Sequence, residues 1–430
     1  MPVRSVLPAL LVLAPAPVHA QSEPTLAQRV VSRAADAVAV MRGQIDAADV
    51  FNAEFLAAVP EAQIRSLADS LVAENGAITG MDEVKPLGPG TAAFTIRFAR
   101  AKANAVVQIE QAAPYRIAGL RIIGVVPTDD APSKILADFD ALPGSAGFAV
   151  VKLGDAGLTP VLTSRGSRQF AIGSAFKLWV LDALAQDIAE GKRRWDEVVR
   201  LDGLRSWPSG QTQNWPQGAS VTVETLATLM ISISDNTATD ALIRLVGRDR
   251  LAGAVKASGH SQPDRMLPFL TTLEAFTIKD LPVIGARYAG ADEAGQAAEL
   301  AALQATLKSP HTAGLAGLSG TEKPRMIETI EWFASPEDVA RVFDRLRKRQ
   351  DGRLREILAV APAMPAPQRA EFAYAGYKGG SEPGVISLNW LLRSKSGDWY
   401  AVAASWNNPD ASVDNARFEK LAHRLIALLR

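Results

Sequence analysis

The sequence predicts two folded units in succession. The first is an α+β unit. The second is a larger α/β unit whose antiparallel sheet is drawn from both of its ends around a helical middle. Three observations carry this reading. Apolar residues recur at helical spacing up to about residue 75, then alternate from about residue 94. After residue 133 the order is helix, strands, a long helical stretch, and strands again. The chain has 430 residues and 48% hydrophobic content, enough for more than one core.

The elements follow in order. Residues 1–20, MPVRSVLPALLVLAPAPVHA, have the pattern of an export signal. Arg4 supplies the charge, Val6 to Ala14 the apolar run, and Val18 and Ala20 the small residues before a cut after Ala20. The run is short for a bilayer and Pro8 interrupts it, so no stable membrane insertion is expected. The mature chain is expected to be periplasmic or secreted.

Residues 21–126 form the first unit. Leu26, Val30, Ala34, Val38 and Met41 mark a helical face, continued by Phe51, Phe55 and Leu56, then by Ile64, Leu67 and Leu71. Phe94, Ile96 and Phe98 alternate with Thr95 and Arg97, and NAVVQIE and YRIAGLRII follow as strands. Asp46, Asp49 and Glu54 read as helix caps and solvated faces, so no acid–base pair is assigned to this unit. PTDDAPS is turn-like, and residues 127–132 are taken as a linker.

Residues 133–430 form the second unit. A helix over 133–142 precedes strands in GFAVVKLG and PVLTSR. The stretch from 174 to about 360 is mostly helical. EFAYAGYKGG, GVISLNWLLRS and DWYAVAASWNN are strands, and Phe418, Leu421, Leu425 and Leu428 mark a closing amphipathic helix. Residues 286–325 are rich in Ala and Gly and are read as an insertion or mobile excursion.

Composition removes several chemistries. Lys plus Arg and Asp plus Glu are each 46, so no basic field points to nucleic acid. There is no cysteine, hence no disulfide, thiolate metal site or cysteine nucleophile. The four histidines, His19, His260, His311 and His423, sit in no metal or triad motif. No metal or organic cofactor is implied.

One stretch, AIGSAFKLWVLDALA, places Ser174 and Lys177 three apart at the start of an apolar helix. A serine hydroxyl needs a base to become a nucleophile, and a desolvated lysine can be that base. Spacing of three puts both side chains on one face. The helix N-terminus turns free amides toward developing negative charge. The alternative is a capping serine beside a lysine that snorkels to water. Two further motifs weigh against it: Ser234-Asp235-Asn236, and Lys378-Gly379-Gly380 at the end of an alternating strand.

In this order the three motifs resemble those of the penicillin-recognising serine hydrolases, especially class A β-lactamases. The resemblance covers about residues 133–430 and includes WPSG at 207–210 and IEWFASPEDVARVF. The first unit looks like the cone-shaped fold of the nuclear transport factor and ketosteroid isomerase group, on element order alone. The resemblance implies that Ser174 is acylated, that Lys177 takes its proton, and that Ser234 relays a proton to the leaving group. It places Asn236, Lys378, Gly380 and Ser381 on the substrate, with the amides of Ser174 and Ser381 as oxyanion hole. The substrate implied is a small β-lactam, ester or peptide-like amide.

Two departures qualify it. Gly379 stands where the family carries Thr or Ser, so a carboxylate-binding hydroxyl is missing, for which Ser381 could compensate in part. No E-x-x-L-N occurs, and Thr237 to Leu388 contains no asparagine. Glu274 is the least bad substitute for the deacylating glutamate, provided that it is buried near Ser174. Three functions therefore stay open: a β-lactamase, an esterase or D-alanyl peptidase, and a penicillin-binding sensor that deacylates slowly or never.

Overall fold

The computed structural model describes residues 24–82, 84–128, 130–307 and 323–429; the predicted export signal lies outside them. Two units divide the chain, the first ending at Asp129 and the second running from Asp130 to Arg430.

In the first unit, Leu26–Met41 (α1) begins at a capping box, Thr25 and Gln28 each accepting from the other's backbone amide. Its stripe buries Val30, Ala34, Ala37, Val38 and Met41. Ala47–Val50 (α2), Ala53–Ala58 (α3) and Glu61–Asn75 (α4) follow. Ile78–Met81 (β1), Lys85–Gly88 (β2), Thr91–Phe98 (β3), Ala101–Ile109 (β4) and Ile117–Pro127 (β5) form an antiparallel sheet. Its order is β1-β3-β4-β5, with β2 also paired to β3. Alternate residues of β3 and β4 are buried. Phe94 lies opposite Ala105 and Ile96 opposite Ala103, large against small, which leaves room for α1 on that face. Helices followed by an antiparallel sheet are what the sequence predicts here. The two short strands β1 and β2 are additions.

In the second unit, Pro132–Asp140 (α5) starts at the last residue of the predicted linker, its proline in the first turn where a missing N–H costs little. Ser145–Leu153 (β6) and Leu158–Ser164 (β7) follow. Phe170–Ala171 (β8) leads through a 3-10 turn, Gly173–Phe176, into Lys177–Ala189 (α6). Val198–Arg200 (β9) pairs with Ser220–Thr222 (β10). Val223–Ser232 (α7), Asn236–Val246 (α8), Arg248–Ala257 (α9), Thr272–Asp280 (α10), Pro282–Gly290 (α11) and Glu293–Leu307 (α12) make up the helical middle. Phe333–Ala334 (β11) pairs with β8. Pro336–Lys348 (α13), Gly352–Ala359 (α14) and Ala366–Arg369 (α15) come next. Phe372–Tyr377 (β12), Gly380–Glu382 (β13), Val385–Ser394 (β14), Trp399–Asn407 (β15) and Asn415–Ala427 (α16) close the unit.

The main sheet runs β12-β14-β15-β6-β7, with β13 also on β14, so strands from both ends of the unit meet at β15 and β6. One face carries Phe148, Val150, Trp390, Val402 and Trp406 against α5 and α16. The other carries Ala149, Val151, Leu391, Ala401 and Ala403 into the larger core built by the helices. Strand β14 is therefore covered on both sides and reads as a nearly unbroken apolar run. Ten of the thirteen residues of α6 are buried, so it is surrounded rather than merely packed on one face. Its buried Asp182 is held by Arg345 and Arg349.

The 286–325 reading needs correction. Up to Leu307 this stretch is helix, with Leu300 and Leu303 buried in the main core. Alanine is the best helix former, so a composition that suggested an excursion instead extends a helix. Residues 308–322 lie outside the described residues.

Phe139 is fully buried between Phe148 and Phe418. Phe139→Ala should destabilise the second unit by about 3–5 kcal/mol in urea unfolding. Leu87→Ala, at an exposed position in β2, should change stability by no more than about 0.5 kcal/mol.

Candidate active site

The main chain around Ser174 is fixed from two sides. The Ile172 amide donates to the Trp332 carbonyl at 3.0 Å, and Asn407 exchanges both of its amide hydrogen bonds with Ala171. Below the turn, Phe176 stacks on Trp332 at 3.8 Å and meets Phe269 edge-on. Ser174 itself is half-buried and stands in the 3-10 turn, one step before α6. In that geometry residues i and i+3 eclipse, so Ser174 and Lys177 share a face more directly than an α-helix would allow.

Lys177 is completely buried, which removes the snorkelling alternative. Its Nζ lies 2.7 Å from the Ser234 carbonyl, 2.7 Å from Asn236 Oδ1 and 3.0 Å from Ser234 Oγ. Two of these partners can only accept, and the third is a hydroxyl that can also donate. An ammonium satisfies all three with three N–H bonds and a neutral amine with two N–H bonds and a lone pair, so burial decides between them. Burial pushes Lys177 well below the ordinary lysine range, and the Lys378 cation pushes the same way; Asp240 and Asp235 oppose this without cancelling it.

The second motif is posed by its surroundings. Ser234 has φ 58°, a left-handed conformation that a non-glycine residue holds only under constraint. Asp235 caps α8 through the Ala238 amide. The same carboxylate takes the amides of Gln211 and Thr212, which binds the motif to the loop after WPSG. Asn236 Nδ2 donates to the Trp207 carbonyl, so Oδ1 is left to face Lys177. One turn on, buried Asp240 accepts from Ser206, from Thr272 through both its amide and its hydroxyl, and from the Leu273 amide, tying α8 to α10. Burial raises its pKa. The i, i+4 spacing from Asn236 was the available signal for this residue, and the sequence reading passed over it.

The third motif meets the first two. Lys378 Nζ lies 3.1 Å from Ser234 Oγ and 2.5 Å from the Gly379 carbonyl. Burial brings it down to about 7. A side chain at Gly380 would collide with the Ile172 carbonyl and the Ser174 amide. A Cβ on Gly173, which has φ 48°, would lie 3.1 Å from the Ser381 amide nitrogen. Glycine at both positions thus lets β13 approach the serine turn with the amides of Ser174 and Ser381 side by side. At Gly379 a side chain would collide with the Tyr377 hydroxyl. The Ser381 side chain is exposed.

Lys177, Ser234, Asn236 and Lys378 are thus joined by hydrogen bonds, the Ser174 turn lies against Gly380 and Ser381, and Glu274 is not joined to them. Glu274 is fully buried, but it closes a capping box with Thr271 through Oε2, while Oε1 takes Arg248 and Gln304. Among the described residues no hydrogen bond links it to Ser174, Lys177 or Ser234. The sequence Thr271-Thr-Leu-Glu274 carries the capping-box signature, which was the signal for this structural use. Among the described residues no group of three or more His, Asp or Glu is placed to hold a metal, and no helix is long and apolar enough to cross a membrane.

A fold with one sheet assembled from both ends, and a buried lysine beside two serines, is the setting of the serine β-lactamases. The sequence model of the Beta-lactamase enzyme family matches residues 131–363, more than half of the chain. The chain belongs to that family and is a β-lactamase-like serine hydrolase. The match includes Ser174, Lys177, Ser234 and Asn236 and stops short of Lys378. Among solved structures, the chain is similar to a β-lactamase from Sphaerobacter thermophilus at 20% identity and TM-score 0.46, covering 69% of this chain and 94% of that one. It is similar to a PBP-A mutant in acyl-enzyme complex with penicillin G at 16% identity and TM-score 0.47, covering 69% and 95%. A β-lactamase from Chitinophaga pinensis matches at 16% identity and TM-score 0.46, covering 69% and 97%. No curated protein matches the chain.

The sign of the pH effect follows from Lys378. Unfolded, a lysine holds its proton to about 10.4; folded, this one releases it at about 7. The penalty for burying it is full below about pH 7 and fades as pH rises toward 10. Lys378→Met should therefore raise the melting temperature at pH 7, and the gain should shrink steadily by pH 10 in calorimetry.

Proposed function

We propose that the protein is an exported acyl hydrolase that forms a covalent ester on Ser174 with a β-lactam or a related amide or ester, and then hydrolyses it. The observation that carries the reading is the buried Lys177, whose acceptors are satisfied by a neutral amine one eclipsed turn from Ser174. Lys177 takes the Ser174 proton as Oγ bonds to the substrate carbonyl carbon. The amides of Ser174 and Ser381 hold the oxyanion. As the scissile C–N or C–O bond breaks, the leaving atom takes a proton from the Ser234 hydroxyl, which recovers one from Lys177. Lys378 sits beside Ser234 and attracts a substrate carboxylate while it remains charged.

A second reading is favoured by one feature. Both oxygens of Glu274 are occupied, and of the two lysines hydrogen-bonded to Ser234, Lys177 is the one three residues from Ser174 and Lys378 is reserved for the substrate carboxylate. Lys177 then has to activate the hydrolytic water as well. Deacylation of a β-lactam ester would be slow, and simple esters would turn over better. Export rests on the pattern of residues 1–20, and the first unit is taken as a packing or interaction module of the cone-like kind.

Intact-mass spectrometry over time, with a penicillin, a cephalosporin and a simple ester, tests the reading. The expected result is an adduct on Ser174 that decays with product release, and no adduct or turnover in Ser174→Ala. Turnover that survives Ser174→Ala overturns it. Lys177→Arg keeps a cation that cannot deprotonate near neutrality. It should slow acylation by about 100-fold or more in single-turnover kinetics.

A further inference from the structure

A buried charge cluster lies outside the three motifs. Lys279, near the end of α10, is 3% exposed and has its Nζ 2.6 Å from Glu331 Oε1 and 2.5 Å from Glu382 Oε1. The three residues come from separate parts of the sequence, and each neighbours something the reaction uses. Glu382 directly follows Ser381 in β13. Glu331 directly precedes Trp332, whose carbonyl receives the Ile172 amide, and Phe333, which pairs with Ala171. Those two residues lead into Gly173 and Ser174.

The cluster holds two carboxyl groups for one ammonium. Both face the same Nζ, Glu331 at 2.6 Å and Glu382 at 2.5 Å. Burial and the neighbouring Glu331 raise Glu382 well above the usual carboxylate range. Burial alone would lower Lys279, but Glu331 and Glu382 outweigh it and hold its pKa above the ordinary value. Lys279 thus meets a carboxyl group from each of two segments, with its hydrogen bonds made, which is the condition for a buried ionic group to hold geometry.

We propose that Lys279 and Glu382 are positioning residues for the oxyanion hole, the lysine clamping β13 through Glu382 and the serine turn through Glu331. This rests on the acyl-transfer reading above. Neither residue touches substrate. Their effect is to fix the separation of the Ser174 and Ser381 amides, which glycine at 173 and 380 allows to be small but does not itself set.

The test uses the full chain and phenylboronic acid, which adds to a serine hydroxyl and places an anionic oxygen in the oxyanion hole. Acylation is followed in parallel with p-nitrophenyl acetate. Glu382→Ala leaves Lys279 and Glu331 as a matched pair, so the fold should persist with a cooperative melt. It should weaken boronate binding by about tenfold or more and lower the acylation rate constant by a similar factor, with KM changed by no more than about twofold. Glu382→Gln keeps a side-chain oxygen that accepts from Lys279 and should stay within about threefold of the parent. Parent-like boronate binding and acylation in Glu382→Ala would overturn the proposal, as would equal impairment of Glu382→Gln. If the parent forms no Ser174-dependent acyl-enzyme or boronate adduct, the acyl-transfer reading falls first and this proposal with it.

Discussion

Everything in the second unit turns on keeping a lysine amine out of water. A charged ammonium with no partner at the position of Lys177 would cost several kcal/mol. The fold avoids that cost by supplying two fixed acceptors and a hydroxyl, which a neutral amine satisfies. Each acceptor needs support of its own. The Ser234 carbonyl points inward because Ser234 adopts a left-handed backbone. Asn236 presents its oxygen because its nitrogen is held by Trp207. Asp235 pins the motif to the 211–212 loop.

The same demand explains polar groups deep in the sheet. Asn389 donates to the Lys378 carbonyl and to Ser387, and Ser405 donates to Ser387, all on buried strands where apolar packing would be more stable. These contacts hold Lys378 beside Ser234. Stability is thereby traded for a site with two lysines that release their protons easily.

Much of this was legible in the sequence because period and motif report local facts. Apolar runs bounded by turn residues in GFAVVKLG and in the three C-terminal strands placed β6, β12, β14 and β15. Ser174, Lys177, Ser234, Asn236 and Lys378 were found because each lies in a short motif. What escaped has no local signature. Glu331 lies 52 residues and Glu382 103 residues beyond Lys279, and only the fold makes them one group. Helix α12 was read as part of an excursion because its many alanines blur an amphipathic face. Glu274 was singled out by its chemistry, whereas its capping-box spacing spoke for its structural use.

The most direct test of the account is the ionisation of Lys177 itself. The full chain carrying carbon-13-labelled lysine, with Lys177→Arg for assignment, can be titrated by NMR through the Cε shift. The account predicts that Lys177 loses its proton far below the ordinary lysine value of about 10.4. A Lys177 that titrates near 10.4 would contradict it, because the serine would then have no base.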